Sequence, residues 1–228
     1  WTRGEDGALA AFPPAEIEAG DLTGMALELA LWGATPDALR FVTPPHPGRY
    51  NEAVEALRML DALHDAGRIT AHGRALSGLP LHPRLAHMLV RGGAGAAELA
   101  ALLAERDILR GVGSDLRLRM QALRSPDRFG NAVQRGALAR VRQEAKRLKS
   151  RTSGNAQSLG AMAALAYPDR IGLRRKGDAP RFVLSGGKGA ILPDGDALAG
   201  ARLIVATDLD GDPREAKIRQ ATEISDAD

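Results

Sequence analysis

The chain has 228 residues, a formal charge of +3 and only 4% aromatic residues. Its cores must therefore be built from Ala, Leu, Val and Ile, which favours packed helices. It has no cysteine, so disulfides, thiol catalysis and Cys-ligated zinc or iron–sulfur centres are excluded, and a reducing cytoplasm is the expected setting. No run of about 18 apolar residues and no basic-then-apolar leader is present, so neither a membrane span nor a signal peptide is expected.

Residues 1–20 show no periodicity and carry Pro13-Pro14, so they read as an extended connector. From Asp21 the pattern becomes helical. Leu22, Met25, Ala26 and Leu29 recur at helical spacing, with Asp21 as cap and Gly33 as stop. Thr35-Pro36 predicts a short second helix, and Val54, Leu57, Leu60 and Leu63 predict a third over about Tyr50 to Asp65. RITAHGRALSGLPL reads as two short strands around His72-Gly73. Three helices and a β-hairpin make residues 21–82 a winged-helix domain.

Residues 83–154 read as a helical bundle, with apolar stripes such as Leu85, Met88 and Leu89. Breaks fall at Gly92-Gly93, Gly111 to Gly113 and Ser125-Pro126. In residues 155–228 one helix, SLGAMAALAY, is followed by strand-like runs RFVLS, AILP, RLIVATDL and AKIRQATEI between Gly and Asp. The expected fold is thus mostly α and multidomain: winged helix, helical bundle, then a small antiparallel barrel-like domain of oligonucleotide-binding type.

Charge is concentrated in one place. Between Arg135 and Arg151 stand five Arg and two Lys against Glu144, a local net of +6 in a chain of +3. At about 100° per residue, Arg135, Arg142, Lys146 and Lys149 fall within roughly 60° of one another, while Leu138, Val141, Ala145 and Leu148 share another arc. Arg140, Arg147 and Arg151 lie on a third. Only Glu144 offers pairing along the helix, so most of these cations are expected to be uncompensated. They are candidates for sequence-blind contact with nucleic-acid phosphates. The third helix, at −3 over residues 51–65, would repel a backbone and reads as a packing hub.

Several strings resemble bacterial HrpB-type DEAH-box ATP-dependent helicases: DLTGMALELALWG, DAGRITAHGRALSGLPLHPRLAHML, ERDILRG followed by DLRLRMQALR, and ALAYPDRIGLRR. The resemblance covers nearly the whole chain and is to the region following the motor. It implies a winged helix, a ratchet-like bundle lining a nucleic-acid channel, and an oligonucleotide-binding-like domain. It also implies upstream RecA-like domains as partners, with ATP and Mg²⁺ used there and no cofactor bound here. Arg135, Arg140, Arg142, Lys146, Arg147 and Lys149 would then contact single-stranded nucleic acid, with RNA expected. The alternative is a stand-alone nucleic-acid-binding or protein-interaction module without a motor.

No catalytic residue is expected. In LSGGKGA, Gly189 follows Lys188 where a phosphate loop needs a hydroxyl, so a turn between strands is expected. His82 and His87 lie about 140° apart on a helix and cannot chelate one metal from a single face; His82 before Pro83 reads as a helix-entry residue. Asp208, Asp210 and Asp212 resemble the start of a calcium loop, but Pro213 and Arg219 stand where that loop needs Gly and Glu.

Overall fold

The computed structural model of the chain describes residues 15–152, 154–212 and 215–228. Most of the expected connector, and Pro213 of the Asp-rich turn, lie outside them. The chain forms two compact units, one ending at Gly78 and the other spanning Leu79–Asp228.

The first unit holds α1 (Glu16–Ala19), α2 (Thr23–Trp32), α3 (Pro47–Met59) and α4 (Ala71–Ser77). Asp21 starts α2 by accepting the Thr23 amide at 2.7 Å, and Gly33 ends it in the left-handed conformation that glycine adopts without a Cβ penalty. The expected second helix is a single 3-10 turn, Pro36–Ala38. Helix α3 begins at Pro47, whose missing N–H costs nothing there, and His46 accepts the Gly48 amide. Arg49 donates to the carbonyls of Glu18, Ala19 and Gly20 at 2.6–2.9 Å, tying the end of α1 to the start of α3. Leu27 and Leu29 of α2, Leu57 of α3 and Leu76 of α4 are buried in the core of this unit.

The expected hairpin around His72-Gly73 is not formed. Those residues lie in α4, and pairing is limited to a single bridge, Leu63 with Ile69. Two forces decide this. Thr70 caps α4 by accepting the Gly73 amide at 2.8 Å while its hydroxyl donates to the Asp61 carbonyl at 2.6 Å. Gly73 is glycine because the backbone of α4 presses on the chain: a Cβ there would lie 2.2 Å from the Ala62 carbonyl oxygen.

The second unit contains α5 (Pro83–Arg91), α6 (Ala96–Ala104), α7 (Leu116–Arg124), α8 (Arg135–Leu148) and α9 (Leu159–Ala166). The glycine and proline breaks separate them as expected. Helix α6 packs against α5 and α8, and α9 against α5. Met88, Leu89, Leu99, Ile108 and Leu116 are fully buried in one apolar cluster. At about 1.5–3 kcal/mol for each large side chain withdrawn from water, this cluster is the main source of the bundle's stability. Among the described residues no helix is long and apolar enough to cross a membrane.

Five strands follow: β1 (Ile171–Arg174), β2 (Arg181–Leu184), β3 (Gly189–Ile191), β4 (Leu203–Leu209) and β5 (Glu215–Glu223). They close into a barrel in the order β1-β2-β3-β5-β4, β4 returning to β1. The barrel is not wholly antiparallel, because β3 and β5 run parallel. An odd number of strands cannot alternate in direction all the way round a closed ring, so one parallel pair is required. Phe182, Leu184, Ile204 and Ile218 fill the interior. Gly172 in β1 gives them room: a Cβ there would meet Leu184, Phe182 and Ile204 within 3.1–3.3 Å.

Two buried arginines bind distant parts of this unit. Arg84 of α5, only 7% exposed, grips Asp169 ahead of β1 at 2.5 and 3.1 Å, with the Tyr167 ring beneath its guanidinium. Arg119 of α7 holds Asp107 at 2.7 and 3.3 Å and donates to the carbonyls of Gly113 and Asp115. Removing one partner strands a desolvated charge. Asp169→Asn should therefore lower stability by about 3 kcal/mol, the lower end of the range for such losses because Asp169 keeps some contact with water. Urea unfolding checks this; an unchanged midpoint would show that the pair contributes nothing net.

Candidate nucleic-acid interface

Helix α8 buries Ala137, Leu138, Val141 and Leu148 and leaves Arg135, Arg140, Arg142, Lys146 and Arg147 exposed, as the sequence arcs require. Lys149 and Arg151 continue the positive charge in a 3-10 turn, Lys149–Arg151. No side-chain cap starts α8; the Gln134 amide bonds instead to the Ile108 carbonyl at 2.8 Å, fixing the helix entry to the loop after α6.

The cations of α8 are not equivalent. Arg140 is paired with Glu105 at 2.6 Å, and Arg147 with Glu144 at 3.1 Å. Arg142 donates twice to the Leu123 carbonyl, at 2.7 and 3.2 Å, satisfying an orphan acceptor in the last turn of α7. Glu144 supplies the pairing along the helix, with Arg147; Glu105 adds a second acid from the end of α6, where spacing along α8 could not reveal it. Arg135, Lys146, Lys149 and Arg151 enter no ion pair among the described residues. These four are the charges available to an external anion.

The other candidates are structural. His82 caps α5 by accepting the Arg84 amide at 3.3 Å, as its place before Pro83 implied; His87 is buried on the same helix. Lys188 lies in the turn joining β2 to β3, with Gly187 at φ +83°, and a strand follows it. Asp210 accepts the amides of Asp212 and Lys217, which hold its carboxyl below the usual carboxylate range. Sequence reasoning missed the buried Arg84–Asp169 and Arg119–Asp107 pairs. Their members lie within the strings PRLAHML, YPDR, ERDILRG and DLRLRMQALR, but nothing in local spacing marks which arginine meets which aspartate.

The Arg140 guanidinium, followed by the Arg106 amide, lowers the Glu105 carboxyl from 4.5 to about 2. A depressed folded-state value means that the pair contributes stability fully above the unfolded value, lost as pH falls through the folded one. The window is thus about pH 4.5 down to about 2. Glu105→Gln should melt lower than the parent at pH 7, and the gap should close progressively below pH 4. Calorimetry at stepped pH checks this; a gap that stays constant down to pH 2.5 would contradict it.

No family profile matches the chain. It is 33% identical over 207 residues to the ATP-dependent RNA helicase HrpB of Escherichia coli, an alignment covering 84% of this chain and 23% of that protein. Two crystal structures from the same organism superpose on it. One, of the DExH-box NTPase HrpB, matches with a TM-score of 0.74 at 32% identity, over 98% of this chain and 27% of that one. The other, of the DEAH/RHA helicase HrpB, gives 0.73 at 30% identity, over 99% and 28%. The chain thus spans about a quarter of the length of the proteins it matches. By sequence and by fold, it is homologous to a segment of the HrpB helicases.

Proposed function

We propose that the chain is the C-terminal, non-motor part of an ATP-dependent RNA helicase of the cytoplasm, guiding single-stranded RNA beside RecA-like domains that use ATP and Mg²⁺. One observation carries this reading: α8 and the turn after it present Arg135, Lys146 and Lys149 toward solvent with no acid paired to them among the described residues. Uncommitted cations release counterions when they meet phosphates, and such contacts hold a strand without reading its bases. In this reading α5 to α9 form the ratchet-like bundle. The barrel, with strand order β1-β2-β3-β5-β4, is the oligonucleotide-binding-type domain. The unit ending at Gly78 takes the place of the winged helix, its wing reduced to the Leu63–Ile69 bridge. Motion of the motor would draw the strand along α8.

Lys146 and Lys149 are the residues to test, since replacing Arg142 would also strip the Leu123 carbonyl of its donors. If three or four cations meet phosphates, log affinity for a single strand should fall with log salt at a slope of roughly −2 to −3. Lys146→Glu with Lys149→Glu should weaken binding to every single strand and flatten that slope, measured by fluorescence anisotropy. A folded double variant that binds single-stranded RNA as well as the parent at low salt would overturn the proposal.

The chain by itself should release no phosphate from ATP, with or without RNA, because Lys188 sits in a strand-to-strand turn and not ahead of a helix. Activity that disappears in Lys188→Ala would place a motor in this chain and refute the assignment.

A further inference from the structure

Beside the Glu105–Asp107 loop lies an open cleft of about 420 Å³. Leu102 and Leu103, at the end of α6, give it an apolar floor. The loop contributes Arg106, and strands β4 and β5 contribute Thr207, Asp208, Arg219 and Gln220. Of the acids at its wall, Glu105 is already taken by Arg140 and Asp107 by Arg119. The side chains of Arg106, Asp208, Arg219 and Gln220 enter no hydrogen bond or ion pair among the described residues. Thr207 is 5% exposed and its hydroxyl is buried without a partner.

The strand geometry accounts for this convergence. Pairing passes from Ala206 opposite Ala221 to Asp208 opposite Gln220, and then to Leu209 opposite Ile218. Thr207 on β4 and Arg219 on β5 are each one residue too many for the ladder. Two bulges on facing strands therefore interrupt the alternation at the residues that line the cleft. Bulges of this kind re-aim side chains and gather beside binding sites.

The chemistry narrows the ligand. Two guanidiniums outside any ion pair among the described residues call for an anion, and a cleft of this size with two leucines in its lining accepts a planar ring. Asp208, an acceptor in the same lining, favours a ring that offers adjacent N–H donors. Among the bases, guanine presents a ring N–H beside an amino group. Glu105 also lines a second cleft of about 270 Å³, beside Arg140, Gln143 and Arg147 of α8. We propose that this cleft seats one guanine nucleotide of the strand held along α8, with Arg106 and Arg219 on its phosphate and Asp208 on its base edge. The proposal rests on the single-strand reading above and adds to it a preference that α8 alone cannot supply.

Two labelled uridine 12-mers, one with a single central guanosine and one with adenosine in its place, test this by anisotropy on the whole chain. The parent should bind the guanosine strand more tightly by on the order of tenfold, the discrimination typical of a bidentate base contact. Asp208→Asn should bring the guanosine strand to the affinity of the adenosine strand and leave the latter unchanged. Arg219→Ala, a second variant at an exposed position, should weaken the guanosine strand and spare the adenosine strand. Millimolar guanosine monophosphate should erase the preference without displacing the adenosine strand. Equal affinities in the parent, a preference that survives Asp208→Asn, or displacement of both strands alike would overturn the proposal. Its failure is separable from that of the α8 reading. Lys146→Glu with Lys149→Glu acts on both strands equally, whereas Asp208→Asn acts only on the difference between them.

Discussion

The arrangement of the second unit depends on one buried guanidinium. Arg119 of α7 is 3% exposed, and its bonds to Asp107, Gly113 and Asp115 close the loop between α6 and α7 upon itself. That loop sets almost everything else. At its start Glu105 reaches Arg140 of α8. At its end the Ser114 carbonyl accepts the Ala221 amide of β5 at 3.0 Å, while the Ser114 amide donates to Asp196 at 2.9 Å. A charge withdrawn from water is costly unless every donor finds an acceptor, so the loop has little freedom once Arg119 is buried. The orientation of α8 and the seat of β5 on the bundle are fixed together.

The second ion pair repeats the arrangement across a longer span. Arg84 and Asp169 are separated by 85 positions, and their pairing joins the first helix of the bundle to the chain entering the barrel. The most recognisable strings of the sequence thus carry structural salt bridges and caps, including Thr70 at the start of α4 and His82 at the start of α5. The residues proposed to touch RNA lie elsewhere, on a face where many cations would serve.

Periodicity revealed the helices because their apolar stripes are long and their stops are glycines and prolines, as at Gly33 and Ser125-Pro126. It failed where a single contact outweighed local pattern. Gly73 looked like a turn residue, yet it is a point of close backbone approach inside a helix. Strand β1 was hidden because IGLR is short and centres on a glycine that only the closed barrel explains. Among the described residues, the seven cations of 135–151 divide into four outside any ion pair and three engaged, since Glu105 and the Leu123 carbonyl come from other elements. The bulged cleft was beyond sequence reasoning altogether: its walls come from positions about a hundred residues apart, and register cannot be read from composition.

Closure of the barrel also constrains how the chain reaches its fold. Strand β3 has only β2 beside it, and β4 only β1, until β5 is laid between them. A ribosome that has delivered β1 to β4 but not Glu215–Glu223 therefore exposes two unpaired edges on a sheet whose apolar interior is still open. Such edges pair readily with other chains. The helices ahead of them close mostly over shorter sequence separations and form sooner. Biogenesis is thus most vulnerable in the interval before β5 emerges, and β5 doubles as the barrel's protection against self-association.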